Sequence, residues 1–314
     1  MTRPLDAVLL IAFGGPSSAE EIRPFLANVT RGRPIPRERI EEVAHHYERI
    51  GGCSPLNELT RRQADALGAR LQARGLALRV YIGMRNWAPY LHEALAAMAA
   101  DGVREALGLI LSPHQTEASW ERYQQNVAEA RARVGPRAPA VRYAPPWYAR
   151  SGFVEAMADR VRAAVAGVPP ATRAATPLLF TAHSVPVAMA EASPYVRQLT
   201  ESARCVAARV GHARWSVCYQ SRSGRPEEPW LEPDVGHEIR RLAAEGARQV
   251  VVAPIGFVCD HVEVLYDLDV EAREIAAACG VGFHRATTVA DHPAFIAMLA
   301  ELVRESLSPA GKEG

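Results

Sequence analysis

Two stretches carry the side chains best suited to chemistry. "TPLLFTAHSVP" (176–186) is an apolar run that delivers His183 and then breaks at Pro186. "GFVCDHVEVLYDLDVEAREIAAACG" (256–280) carries Glu263, Asp267 and Glu271 at four-residue intervals. If this second stretch is helical from about Asp260, His261, Leu265, Leu268, Ala272, Ile275 and Cys279 form the packing stripe and the three carboxylates share another face. Like charges at that spacing cost helix stability, and the positive helix N-terminus offsets the cost only for Asp260 and Glu263. The row reads either as a solvated face or, beside a cleft, as a carrier of metal ions or protons. Alone, His183 reads as a loop histidine held by hydrogen bonds. Paired with Glu263 it makes one imidazole and one carboxylate with open positions, which suits a borderline divalent ion such as Fe²⁺ that must be held and then released.

The elements that must position these residues are short apolar runs alternating with longer helical patterns. Strands are expected at 6–13, 77–83, 105–112, 139–144, 176–182, 214–220, 248–255 and 280–284. Runs that are apolar throughout, each followed by a helix, predict an α/β fold whose parallel sheets are buried on both faces. The pattern runs twice. "LLIAFGGP" matches "LLFTAHSVP", and "VREALGLILSPHQTEASWERY" matches "ARQVVVAPIGFVCDHVEVLYD". Two related units are therefore expected, 1–147 and 148–314, with the final helix at 292–307 packing back on the first or staying on the second. The segment 28–58 has no counterpart in the second half and is a candidate wall for a cleft. Ligands in such folds bind beyond the carboxyl ends of the strands, where "GGP", "SPHQTE", "AHSVP" and "GFVCDHVEV" all fall.

Composition excludes several classes. Thirty-six Lys+Arg against thirty-five Asp+Glu leave no field to hold a nucleic acid. The apolar start is too short for a signal peptide or a transmembrane segment, so a cytoplasmic chain is expected, with a peripheral membrane position left open. Five cysteines without a C-x-x-C pair argue against a disulfide framework or a zinc site and suggest reduced, mostly buried thiols. Neither G-x-G-x-x-G nor G-x-x-x-x-G-K-[ST] is present, so no nucleotide site is expected, and "SVP" is not the G-x-S-x-G of a serine hydrolase.

"IGGCSPLNELTRRQA", "YIGMRNWAPYLHEAL", "FTAHSVP", "YQSRSGRPEEPWLEPDV" and "PIGFVCDHVEVLYDLDVE" follow in the order and spacing of the ferrochelatases. The resemblance runs from Leu9 to about Leu307 and looks closest to the bacterial type that uses coproporphyrin III. It implies two Rossmann-like, chelatase-type domains with a porphyrin cleft between them, and insertion of Fe²⁺ into coproporphyrin III in haem synthesis. The same reaction on protoporphyrin IX, Co²⁺ insertion into a related tetrapyrrole, and a haem or porphyrin carrier without turnover are the alternatives. By resemblance His183 and Glu263 are the catalytic and iron-site residues, and Asp267 and Glu271 continue a proton or metal path. Ser54 and Tyr123 match positions that contact the tetrapyrrole. Phe13, Arg31, Arg33 and Tyr47 lie in the matching wall. Some relatives carry a tyrosine in place of Phe13, which can only pack, and arginines in place of Thr30 and His46, which leaves propionate recognition to Arg31, Arg33 or other residues. Relatives with an iron–sulfur cluster use cysteines near the C-terminus; none follows Cys279, so no cluster is expected. The implied partners are the porphyrin and ferrous iron, with transient contacts to neighbouring haem-pathway enzymes admitted.

Overall fold

A computed structural model describes residues 4–32, 34–224 and 227–307; Arg33 lies outside the described residues. Eight strands form where the apolar runs fall. β1 (Ala7–Ala12), β2 (Arg79–Met84), β3 (Glu105–Ile110) and β4 (Ala140–Tyr143) make one sheet in the order β2-β1-β3-β4. β5 (Leu178–His183), β6 (Trp215–Gln220), β7 (Gln249–Ala253) and β8 (Gly282–Arg285) make a second in the order β6-β5-β7-β8. All pairings are parallel, and the second order repeats the first strand for strand. Every residue of β1 is buried, as strands covered by helices on both faces must be.

The connections differ where the sequence halves differ. After β1 come α1 (Ala19–Val29), α2 (Arg37–Arg49) and α3 (Leu56–Ala73), so the segment without a counterpart becomes a helical wall. Ile22, Phe25, Leu26, Ala44 and Tyr47 bind α1 to α2, and Trp87 and Val262 pack against this cluster. α4 (Leu91–Ala100) follows β2, and a π-helical turn, Glu117–Glu121, leads from β3 into α5 (Arg122–Val134). Beyond β4 lie α6 (Ser151–Ala166) and α7 (Pro170–Arg173). α8 (Val187–Glu191) and α9 (Tyr195–Val210) follow β5, and α10 (Val235–Ala244) follows β6. After β7 come α11 (Val262–Leu265), a π-helical stretch Asp267–Ala272 and α12 (Arg273–Ala278), which lead to β8 and finally to α13 (Pro293–Leu307).

Three expectations need correction. The helix expected from Asp260 begins at Val262 and widens to π-winding over Asp267–Ala272, where Glu271 N–H reaches back five residues to the Tyr266 carbonyl at 3.0 Å. Wider winding moves the buried stripe to Val264, Leu268, Ala272 and Ala276, while His261 caps the helix and Leu265, Ile275 and Cys279 sit half-buried on its flanks. His183 is the last residue of β5 rather than the first of a loop, because it pairs in register with Gln220. The thiols are all free, but Cys53 is exposed and only Cys218 and Cys259 are fully buried.

α13 belongs to neither half alone. It packs on α3 from the first and α6 from the second, and Trp147, Phe153 and Phe295 meet there with centroids 5.3 to 6.3 Å apart. One hydrophobic core consequently runs through both sheets, from Val8 and Leu10 to Leu178 and Phe180.

Candidate active site

The site is built at the carboxyl ends of β5, β6 and β7. Gly256, just after β7, lies so close to β5 that a Cβ there would stand 2.5 Å from the Ala182 Cβ. Only glycine permits that approach, and it carries the chain past His183 into the loop before α11.

His183 Nε2 stands 3.5 Å from Glu263 Oε1. Its other ring nitrogen contacts the Ser184 carbonyl, which can only accept, so Nδ1 carries a hydrogen and Nε2 faces the carboxylate. Tyr195 holds the His183 backbone by donating its hydroxyl to the carbonyl at 2.8 Å. Glu263 is fixed from both sides: its N–H donates to His261 Nδ1 at 3.1 Å, and its carbonyl accepts from the Gln220 amide. Burial alone would raise the Glu263 pKa, but the facing imidazole outweighs it and holds the carboxyl down at about 2. Burial alone would likewise lower His183, and Glu263 outweighs it, so the imidazole is raised to about 9. The pair is charged at neutral pH, yet its side chains keep 31% and 38% of their surface. Water screens such a pair, and a third partner can reach it.

The acidic row changes character along its length. Asp267, whose carboxylate accepts from the Ser221 hydroxyl, is raised to about 8, chiefly by burial and then by Glu263 and Glu271. Its carboxyl is thereby biased toward the protonated form, beside one held toward the ionised form. Glu271 is exposed, and its pKa is raised by desolvation and by Asp234. Ser221 reaches Asp267 from a left-handed backbone, φ 62°, which a non-glycine residue adopts only when its surroundings hold it there.

From the first unit, Tyr123 is buried with the Arg85 guanidinium 4.4 Å above its ring, and the same guanidinium lies 5.7 Å from the ring of Phe13. Phe13 keeps 39% of its surface and touches Phe25 edge-on, which in turn meets Tyr47 and Trp87. The phenols of Tyr47 and Tyr123 are raised chiefly by burial, which Arg85 opposes at Tyr123, and the wall meets the acidic helix where Val262 packs on the α1/α2 cluster and His46 stacks on Tyr266. Ser54 is buried against Gly15, its N–H on the Pro16 carbonyl at 2.8 Å. Arg31 is not brought to the pair by any hydrogen bond or ion pair among the described residues; it is exposed and donates to Asn28 Oδ1 at 2.5 Å. Thr30 spends its hydroxyl on the Leu26 carbonyl, and His46 stacks on Tyr266 at 3.7 Å.

Sequence reasoning missed Gln220, Ser221, Tyr195, Arg85 and Trp230, whose ring centroid lies 6.4 Å from that of His183. "YQSRSG" and "YIGMRN" carried the signal for three of them, but nothing in those strings says which side chain turns inward. Among the described residues no group of three or more His, Cys, Asp or Glu side chains could by itself hold a metal ion. What His183 and Glu263 offer is an incomplete set, open to an ion whose other ligands come from elsewhere.

A family model described as ferrochelatase matches residues 5–307. The chain is 45% identical over 305 residues to the coproporphyrin III ferrochelatase of Mycolicibacterium smegmatis, covering 96% of this chain and 90% of that protein. It is 46% identical over 317 residues to the coproporphyrin III ferrochelatase of Frankia alni, covering 97% and 81%. With a ferrochelatase of Rhodopirellula baltica it shares 44% over 305 residues, covering 97% and 87%. Among solved structures, SirB from Bacillus subtilis with Fe³⁺ aligns with a TM-score of 0.59 at 12% identity, over 96% of this chain and 95% of that one. At that identity the likeness speaks for the fold alone: two chelatase-type α/β units.

Proposed function

The chain belongs to the ferrochelatase family, and from that premise we propose that it is an enzyme that inserts Fe²⁺ into coproporphyrin III and releases two protons. The observation that carries the site assignment is the His183–Glu263 pair, 3.5 Å apart and open to a third partner. Its nearest support in substrate is the coproporphyrin III name borne by relatives 43–46% identical over nearly the whole chain.

In this reading the ring lies between the wall and the acidic helix, with Ser54, Tyr123, Phe13 and Tyr47 lining it. Fe²⁺ arriving at Glu263 takes the place that the imidazolium occupies in the resting ion pair. That displacement sends the imidazolium proton to solvent along the acidic row, and the neutral imidazole then accepts the two pyrrole protons at Nε2 one after the other, passing the first on by the same route before taking the second. Asp267, neutral at rest and four residues from Glu263, and Glu271 beyond it carry protons or ions between the pair and the surface. Binding the ring bent exposes its nitrogen lone pairs, a strain drawn from the binding energy of the rest of the ring. Propionate recognition falls to Arg85 and Arg31. The ion and the ring are both substrates, and no nucleotide or iron–sulfur cluster takes part. No helix among the described residues is long and apolar enough to cross a membrane, and we place the enzyme in the cytoplasm.

The test is anaerobic incubation of the protein with Fe²⁺ and coproporphyrin III, with protoporphyrin IX run in parallel. Metalloporphyrin formed faster from the four-propionate ring is the expected outcome. No product from either ring overturns the reading, and a faster rate on protoporphyrin IX overturns its choice of substrate.

A further inference from the structure

Five carboxylates fall between residues 260 and 271: Asp260, Glu263, Asp267, Asp269 and Glu271. The fold sorts them into sets with different partners. Glu263 and Asp267 turn toward His183 and Ser221. Asp260 and Asp269 turn instead to one guanidinium, that of Arg285, the last residue of β8.

Arg285 keeps 10% of its side-chain surface. Its Nε donates to both oxygens of Asp269 at 2.8 and 2.9 Å, and Nη2 stands 2.8 Å from Asp269 Oδ2. Toward Asp260, Nη1 donates to Oδ1 at 3.2 Å and Nη2 to Oδ2 at 3.4 Å. A planar fork of five N–H groups can reach both oxygens of two carboxylates at once, a bidentate pairing that the three donors of a lysine ammonium do not reproduce. A buried cation is retained only when so paired.

The two anchored residues bracket the site. Asp260 directly precedes His261, whose Nδ1 accepts the Glu263 N–H, and Asp269 lies two residues beyond Asp267 inside the π-helical stretch. Between the anchors α11 has four residues, too few to hold a direction by its own hydrogen bonds. The strand that corresponds to β8 in the first unit, β4, ends in Tyr143, so the clamp exists only in the unit that carries the acidic row.

We propose that Arg285 is a positioning residue for the metal step: by bridging Asp260 and Asp269 it fixes the turn that aims Glu263 and Asp267 at the incoming ion. The proposal rests on the reading of Glu263 as an iron-site residue. Partners bonded directly to a metal ligand are typically worth about 10- to 100-fold in metal affinity or activity; Arg285 acts one contact further out, through Asp260 and Asp269, so the lower end of that range is expected.

The experiment is anaerobic steady-state kinetics with Fe²⁺ and coproporphyrin III on Arg285→Met, Arg285→Lys, Asp269→Asn and Arg273→Met, with Glu263→Gln as reference and a thermal melt for each. Arg285→Met should raise the KM for Fe²⁺ by about 10-fold and leave the KM for the porphyrin within about twofold, a split that general destabilisation does not produce. Arg285→Lys should recover only part of the loss. Arg273→Met, which removes the exposed second arginine on Asp269, should leave the Fe²⁺ KM unchanged. Where Arg285→Met fails to fold, Asp269→Asn carries the same expectation with the arginine in place. An unchanged Fe²⁺ KM in Arg285→Met, two KM values rising together, or an equal effect from Arg273→Met overturns the assignment. The underlying reading fails differently, by an inactive wild-type protein or a Glu263→Gln variant with an unaltered Fe²⁺ KM.

Discussion

His183 and Glu263 oppose each other because each is held by its backbone as much as by its side chain. Tyr195 holds the His183 backbone and the Ser184 carbonyl its imidazole, while Gln220 and His261 hold the Glu263 backbone. The charge on each is then set by the other, against the burial that would neutralise both. Removing the imidazole should leave a carboxylate without its base. His183→Ala is therefore expected to lower metalloporphyrin formation by at least about 10²-fold, the usual range for a lost general base, and a variant with full activity in the anaerobic assay would remove His183 from the site. Phe13 shows the opposite case: its ring packs against Phe25 and sits beside Arg85, and it carries no atom that could ligate an ion.

At the level of elements, the π-winding after α11 and the close approach at Gly256 decide where the acidic row points. An unbroken α-helix from Asp260 would bury His261 and Leu265, whereas the observed winding buries Val264 and Leu268 and leaves His261 free to cap. Gly256 sets the height of that helix above β5. Gly256→Ala should push its Cβ into Ala182, cost about 1–3 kcal/mol as overpacking does, and displace the loop beside His183. Denaturant unfolding followed with the rate assay checks this; unchanged stability and rate would mean that the loop absorbs the methyl group without moving.

Across the whole molecule, the two units are joined by buried contacts of two kinds. α13 supplies the apolar kind, and Phe295→Ala should cost about 3–5 kcal/mol, as large aromatic deletions in cores do, in a single transition because the core is continuous. Separate melting of two units would contradict it. The polar kind is made where His114 of the first unit meets Ser202 of the second at 2.9 Å, the Gln115 backbone N–H donates to Gln198 Oε1 and the Gln198 side-chain amide donates to Gln115 Oε1. Burial pushes His114 down to about 3, and Tyr195 is the titratable group that faces it. Its folded pKa lies below the value near 6.5 of an unfolded imidazole, so the unfolded chain binds the extra proton between the two. Stability from this group is full above about pH 6.5 and is lost as pH falls, by roughly 1.4 kcal/mol per unit. His114→Gln should flatten the slope of the unfolding free energy between pH 7 and 5, and an identical slope would show that His114 already carries a proton in the folded protein.

Periodicity and strand-end punctuation were enough to read eight strands, their parallel pairing and the duplication, because a strand buried on both faces leaves an apolar run that nothing local can disguise. "AHSVP" and "DHVEVLYD" likewise singled out His183 and Glu263, which the fold brings to 3.5 Å of each other. The four-residue period set Glu263, Asp267 and Glu271 apart, but the string could not contain the partner of the other two carboxylates: nothing local says that Asp260 and Asp269 share the guanidinium of Arg285. Nor could it place Tyr195, Gln220 and Ser221, ordinary residues made specific by three strand ends meeting. Helical period is a local property and so is legible in sequence. Which face meets a buried cation, and how far one residue of extra winding turns a helix, depends on partners distant in the chain, and only the tertiary structure decides it.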